Sequence, residues 1–119
     1  MKDQNEKRYD LEIRTLHFAQ RVRLFIKQIK KTIASFEDAK QLIRSSGSTG
    51  ANYIEANESL SRKDFILRIK IFRKEAKESR FWLELIETDE ATLEQERQSL
   101  IQEATELMKI FGSILEKCK

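Results

Sequence analysis

Seven side chains near the C-terminus, Leu93, Leu100, Ala104, Leu107, Phe111, Ile114 and Cys118, recur at steps of seven, four, three, four, three and four. That spacing places all of them on one face of an α-helix. Ile101, Met108 and Leu115 recur every seven residues beside them. Nothing in the chain interrupts such a pattern, because its 119 residues include no proline and only three glycines, Gly47, Gly50 and Gly112. Lys, Glu, Leu, Ile, Gln and Arg fill most other positions, and all but the β-branched Ile lose little side-chain freedom in a helix. With 36% of residues charged, each helix has apolar positions for one buried face and cannot be buried all round.

The same periodicity marks three further helices. Leu11, Phe18, Val22, Phe25 and Ile29 form the first stripe. Phe65, Phe72, Ala76 and Leu83, flanked by Ile69 and Ile86, form the third, with Leu67, Ile71, Trp82 and Leu85 on a neighbouring side. The second helix is different: Phe36, Ile43, Gly47, Gly50 and Ile54 share one side, while Ser45, Ser48, Asn52, Glu55 and Ser59 form a polar stripe on another. Two mid-helix glycines cost roughly 1 kcal/mol each against alanine. Close approach of another backbone is the usual compensation; a break at Ser46–Gly50 is the alternative. Either Thr32 or Ser35 can open this helix, Ser61 with Asp64 the third, and Thr92 with Gln95 the fourth.

Helices over about 10–31, 33–59, 62–87 and 92–117, joined by short turns, predict an all-α, antiparallel up-down-up-down four-helix bundle. The bundle is expected to be one domain over 10–119, preceded by a flexible segment over 1–9. The second apolar columns, Leu67, Ile71, Trp82 and Leu85 on the third helix and Ile101, Met108 and Leu115 on the fourth, exceed what a monomer buries and predict a homo-oligomer.

Charge is distributed unevenly. Residues 1–31 carry a net +5, 32–59 carry −2, 60–87 carry +3 and 88–119 carry −3. Either basic helices attract acidic neighbours, or the basic helices face an anionic partner. On the third helix Lys63, Lys70, Lys74 and Lys77 fall in one column and Arg62, Arg73 and Arg80 in the next. Such a sector suits a phosphate backbone, and with Phe81 its main candidate for stacking, binding should show little sequence preference.

No motif points to catalysis. His17 is the only histidine, so the Glu-x-x-His pairs of helical di-metal sites are absent. Gly47-Ser48-Thr49-Gly50 lacks the Lys of a phosphate loop. A non-enzymatic protein without cofactors is expected. One cysteine, no apolar leader and no membrane-length run predict a soluble, cytoplasmic protein.

The stretch Gln41–Leu85 also carries a resemblance. Gln41-Leu42-Ile43-Arg44, Ser48, Gly50-Ala51-Asn52, Ile54, Glu55-Ala56, Ser61, Lys63-Asp64-Phe65, Glu75-Ala76, Glu78 and Trp82-Leu83 resemble the four-helix-bundle proteins encoded in intervening sequences of bacterial large-subunit ribosomal RNA genes. Asn57 stands where that family often has glycine, and the basic turn at Ser59–Lys63 is abbreviated. The resemblance implies a homopentamer. The pattern is similar too to the accessory protein of diversity-generating retroelements, which implies RNA or DNA and a reverse transcriptase as partners. Arg44, Ser48, Asn52, Glu55, Asp64, Glu75 and Glu78 match family positions, and their helical placement implies a buried polar network between the second and third helices. Two functions follow as expectations: a nucleic-acid-binding scaffold, or a structural, protein-binding oligomer.

Overall fold

A computed structural model describes residues 4–119, with side chains from Asp10 onward. Four helices follow one another: α1 (Gln4–Gln28), α2 (Ile33–Asn57), α3 (Arg62–Leu85) and α4 (Ala91–Lys117). Each packs on its chain neighbours, and α1 also meets α4. This is the expected all-α four-helix bundle. The helix α1 starts at Gln4, not near residue 10. Of the segment over 1–9 expected to be flexible, residues 1–3 and the side chains of 4–9 lie outside the described residues.

The turns follow short-range chemistry. Thr32 opens α2: its hydroxyl accepts from the Ser35 amide at 3.0 Å, and the Ser35 hydroxyl accepts from the Thr32 amide at 2.8 Å. The two candidate starting residues are thus the two halves of one capping box. Ser61 caps α3 through the Asp64 amide at 3.0 Å, as expected. Helix α4 departs from expectation. It begins after Glu90 with no side-chain cap, and Thr92 donates to the Glu90 carboxylate at 2.7 Å instead.

The α3–α4 turn is held from inside α4. Arg97 makes a two-pronged pair with Glu94, at 2.8 and 2.9 Å, and also donates to the Leu83 carbonyl at 3.0 Å. A cation therefore serves the unpaired carbonyl end of α3. Thr88 reaches Glu94 from the turn at 2.6 Å.

The core is formed by one face of every helix, with Phe18, Val22 and Phe25 of α1, Leu42 and Tyr53 of α2, Ile69, Phe72 and Leu83 of α3, and Leu100, Leu107 and Phe111 of α4 among its members. Tyr53, Phe72 and Phe111 meet ring to ring with centroids 5.9–6.1 Å apart, tying α2, α3 and α4 together.

Helix α2 is continuous through Ser46–Gly50, but it buries a different face from the glycine side. Phe36 and Ile54 are 60% and 48% exposed, whereas Ser45, Ser46, Thr49 and Tyr53 are buried. Ser45, read as part of the polar stripe, has no exposed surface. Its burial is tolerable because each hydroxyl bonds inside the protein: Thr49 donates to the Ser45 carbonyl at 2.9 Å, and Ser45 meets Ser79 of α3 at 2.8 Å.

The glycines divide likewise. A Cβ on Gly50 would lie 3.1 Å from Thr15 Oγ1 and 3.3 Å from Thr15 Cβ, so here α1 and α2 do approach closely. A Cβ on Gly47 would meet only the end of Arg23, at 3.6 Å. Gly47→Ala should therefore stabilise the fold by up to about 1 kcal/mol through helix propensity. Gly50→Val should destabilise it by about 1–3 kcal/mol through overpacking. Denaturant unfolding of the two variants checks both signs.

Hydrogen bonds from Arg97, Thr88 and Gln98 hold the Glu94 carboxyl at about 2, down from 4.5. Its folded-state value is lowered, so its contribution is fully present above the ordinary carboxylate range and is lost as pH falls toward 2. In an acid titration followed by circular dichroism, Glu94→Gln should flatten that part of the stability profile.

Candidate nucleic-acid interface

The basic sector of α3 divides into two columns with different surroundings. The arginine column runs along α4. Arg62 donates to the carbonyl of Cys118 at the end of α4, and Arg80 reaches Thr105 Oγ1 at 3.5 Å. Arg73 lies against Gly112, its guanidinium about 4 Å from where a Cβ there would sit. The lysine column faces outward. Lys63, Lys70, Lys74 and Lys77 are all exposed, and none makes a hydrogen bond or ion pair with any described residue.

The basic groups of α1 are used differently. Arg14 forms a two-pronged pair with Glu103 of α4, at 2.7 and 2.8 Å, and Arg21 meets Glu96 at 2.9 Å and Ser99 at 2.8 Å. The hydrogen bond to Glu103 raises the Arg14 guanidinium above its ordinary value, against a smaller opposing effect of burial. Attraction between a basic and an acidic helix thus describes α1 and α4. It does not describe the α3 lysines.

Of the residues placed in a polar network, the structure joins Arg44, Glu75 and Glu78. Arg44 reaches Glu78 at 2.9 Å and Glu75 at 3.4 Å across the α2–α3 groove. The Glu75 side chain is 10% exposed and that of Arg44 is 52%, so the cluster lies at the rim of the core. The other four stand apart. Asn52 bonds the Ser48 carbonyl within α2 at 2.8 Å, Glu55 is exposed with no side-chain partner among the described residues, and Asp64 pairs with Arg68 at 3.8 Å. The single network is corrected to a rim cluster of three residues plus a deeper contact, Ser45 with Ser79. Ser79 was legible, since Phe72, Ala76, Ser79 and Leu83 step by four, three and four along the core face.

Among the proposed interface residues, Leu67 and Leu85 are 54% and 48% exposed. Trp82, Ile101, Met108 and Leu115 are half-buried and pack on the bundle's own core, and Ile71 is half-buried. The second columns are thus partly covered within one chain. Phe81 is 54% exposed and meets Trp82 edge to face, centroids 5.0 Å apart. His17 is exposed. Among the described residues no group of three or more His, Cys, Asp or Glu could hold a metal ion, and no helix is long and apolar enough to cross a membrane.

The rim cluster yields a stability test. Removing Arg44 leaves the Glu75 carboxylate buried without its partner, so Arg44→Met should cost about 1–3 kcal/mol. Glu55→Gln, at an exposed and unpartnered site, should stay within about 0.5 kcal/mol of the parent. Thermal melts of the two variants measure the contrast.

A crystal structure at 1.70 Å resolution of a protein of unknown function from the S23 ribosomal protein family of Bacteroides thetaiotaomicron is similar to this chain, with 34% identity over 87% of this chain and 96% of that one. The TM-score between them is 0.72. No curated protein matches the chain significantly. The family model for the 23S rRNA-intervening sequence protein matches residues 9–113. With the four-helix fold and the Gln41–Leu85 pattern, these matches place the chain in the 23S rRNA-intervening sequence protein family.

Proposed function

We propose that this protein is a non-catalytic scaffold that assembles with copies of itself and binds nucleic acid, RNA foremost, through the lysine column of α3. The observation that carries the reading is the contrast between two sets of cations. Arg14 and Arg21 of α1 are engaged by α4 carboxylates, while Lys63, Lys70, Lys74 and Lys77 have no partner among the described residues and share one outward column. Unpaired ammonium groups one or two turns apart along one column suit phosphates of one backbone, which they bind by charge and not by base identity. The exposed Leu67 and Leu85 beside this column, and Phe36 and Ile54 on α2, support self-association. A ring homo-oligomer, the homopentamer implied by the family resemblance, would repeat the lysine column on every subunit.

The alternative is a purely protein-binding oligomer. The same exposed apolar side chains favour it, and it assigns the lysines to solubility alone.

Gel shift and light scattering on the same samples separate the two. If all four lysines of one subunit contact phosphates, the affinity for single-stranded RNA should fall with a log–log salt slope of roughly −3. Reversing Lys70, Lys74 and Lys77 to Glu should abolish binding and leave helicity and oligomer size unchanged. Failure of the parent protein to retain RNA at about 0.1 M salt, with its assembly intact, would establish the protein-binding reading.

A further inference from the structure

Where the lysine column nears its C-terminal end, α2 and α3 enclose an open hollow of about 580 Å³ whose lining includes Gln41, Arg44, Lys74, Lys77, Phe81 and Trp82. Its volume lies within the range of small-ligand sites. From the hollow and the Phe81 ring we infer that it is a nucleotide clamp for single strands, in which Phe81 stacks on an unpaired base while Lys77 and Lys74 hold the adjoining phosphates. The inference rests on the nucleic-acid reading above and specifies the state of the strand that the protein prefers.

Three observations support it. The Phe81 ring stays 54% exposed, with Lys77, Glu84 and Leu85 as its helical neighbours, so burial in the core does not account for an aromatic side chain there. Trp82 meets it at 77° between ring planes, which braces the ring and leaves stacking surface open. Lys77 and Phe81 are four residues apart and Lys74 and Lys77 three, so each is the helical neighbour of the next, about 5–6 Å apart at Cβ. A base and its backbone thereby find a ring and two ammonium groups in line.

The one acidic group of the hollow does not oppose this. Glu78 is held at 2.9 Å by Arg44, which also meets Glu75 at 3.4 Å, so its charge is partly offset beside the two free cations of the hollow. In a duplex the bases are already stacked and cannot reach the ring, so Phe81 contributes only to single strands. Because every base offers a π-face, the gain is tolerant of sequence.

The test compares a short labelled oligouridylate with an RNA hairpin whose strands are joined by a non-nucleotide linker, so that it has no unpaired base, carrying the same number of phosphates. Phe81→Leu keeps apolar bulk and removes the stacking face. It should weaken oligouridylate binding about tenfold or more, and leave hairpin binding within about twofold and the salt slope unchanged. Phe81→Tyr should restore the single-strand affinity. Trp82, the only tryptophan in the chain, reports on the parent protein directly, and its emission should change on saturation with oligouridylate but not with hairpin. Equal loss on both RNAs in Phe81→Leu, or no loss on either, would overturn the clamp while leaving lysine-based binding in place. A silent Trp82 at saturating oligouridylate would do the same. A parent protein that binds neither RNA would remove the clamp and the nucleic-acid reading together.

Discussion

The fold depends on how closely α2 can lie against its neighbours. A face of Ser45, Ser46 and Thr49 has little bulk, and each hydroxyl finds an acceptor within the protein, so it can be buried without an orphaned polar group. The Ser45–Ser79 contact at 2.8 Å brings α3 against this face, and Gly50 admits Thr15 of α1 from the other side. One turn beyond Thr49, Tyr53 interlocks with Phe72 and Phe111. The small hydroxyls and the close approach at Gly50 make α2 the element on which both α1 and α3 are registered.

Among the described residues, every ion pair between helices is made by an arginine. Arg14, Arg21, Arg44 and Arg97 each engage a carboxylate in the bundle, three of them across a helix–helix groove. The planar guanidinium suits this work, because it can grip a carboxylate with two parallel bonds, as Arg14 and Arg97 do. The α3 lysines, with flexible stems and strongly hydrated heads, are left to solvent. Arginine thus fixes the helices in place, and lysine supplies the field that an approaching anion meets.

The four-helix layout was legible because apolar spacing is a direct consequence of burial, and on α1, α3 and α4 most buried residues are apolar. On α2 three of the seven buried residues, Ser45, Ser46 and Thr49, are not. Leu42 marks the inner face there, but Ile54 points outward while Ser45 and Thr49 point inward, and hydropathy alone assigns those three positions wrongly. The glycine argument held at Gly50 and not at Gly47, a distinction set by where Thr15 falls on α1 and invisible in the spacing of α2 itself. In the candidate site, the lysine column followed from helical geometry. What the spacing left out was which cations α4 would engage: the Arg97–Glu94 pair could be read from an i, i+3 step, but its reach to the Leu83 carbonyl depends on how the turn folds back.

The outward lysines also bear on the energetics of α3 itself. Lys70, Lys74 and Lys77 stand three and four residues apart on one helix face, with no carboxylate of the described residues paired to any of them. Like charges at that spacing each weaken a helix by about 0.2–0.5 kcal/mol. A polyanion laid along the column removes that repulsion, and whatever binds only the folded state raises its stability in turn. Occupancy and foldedness are then coupled through the same three ammonium groups, and the melting temperature in dilute buffer is a lower bound that rises as anions gather on this helix.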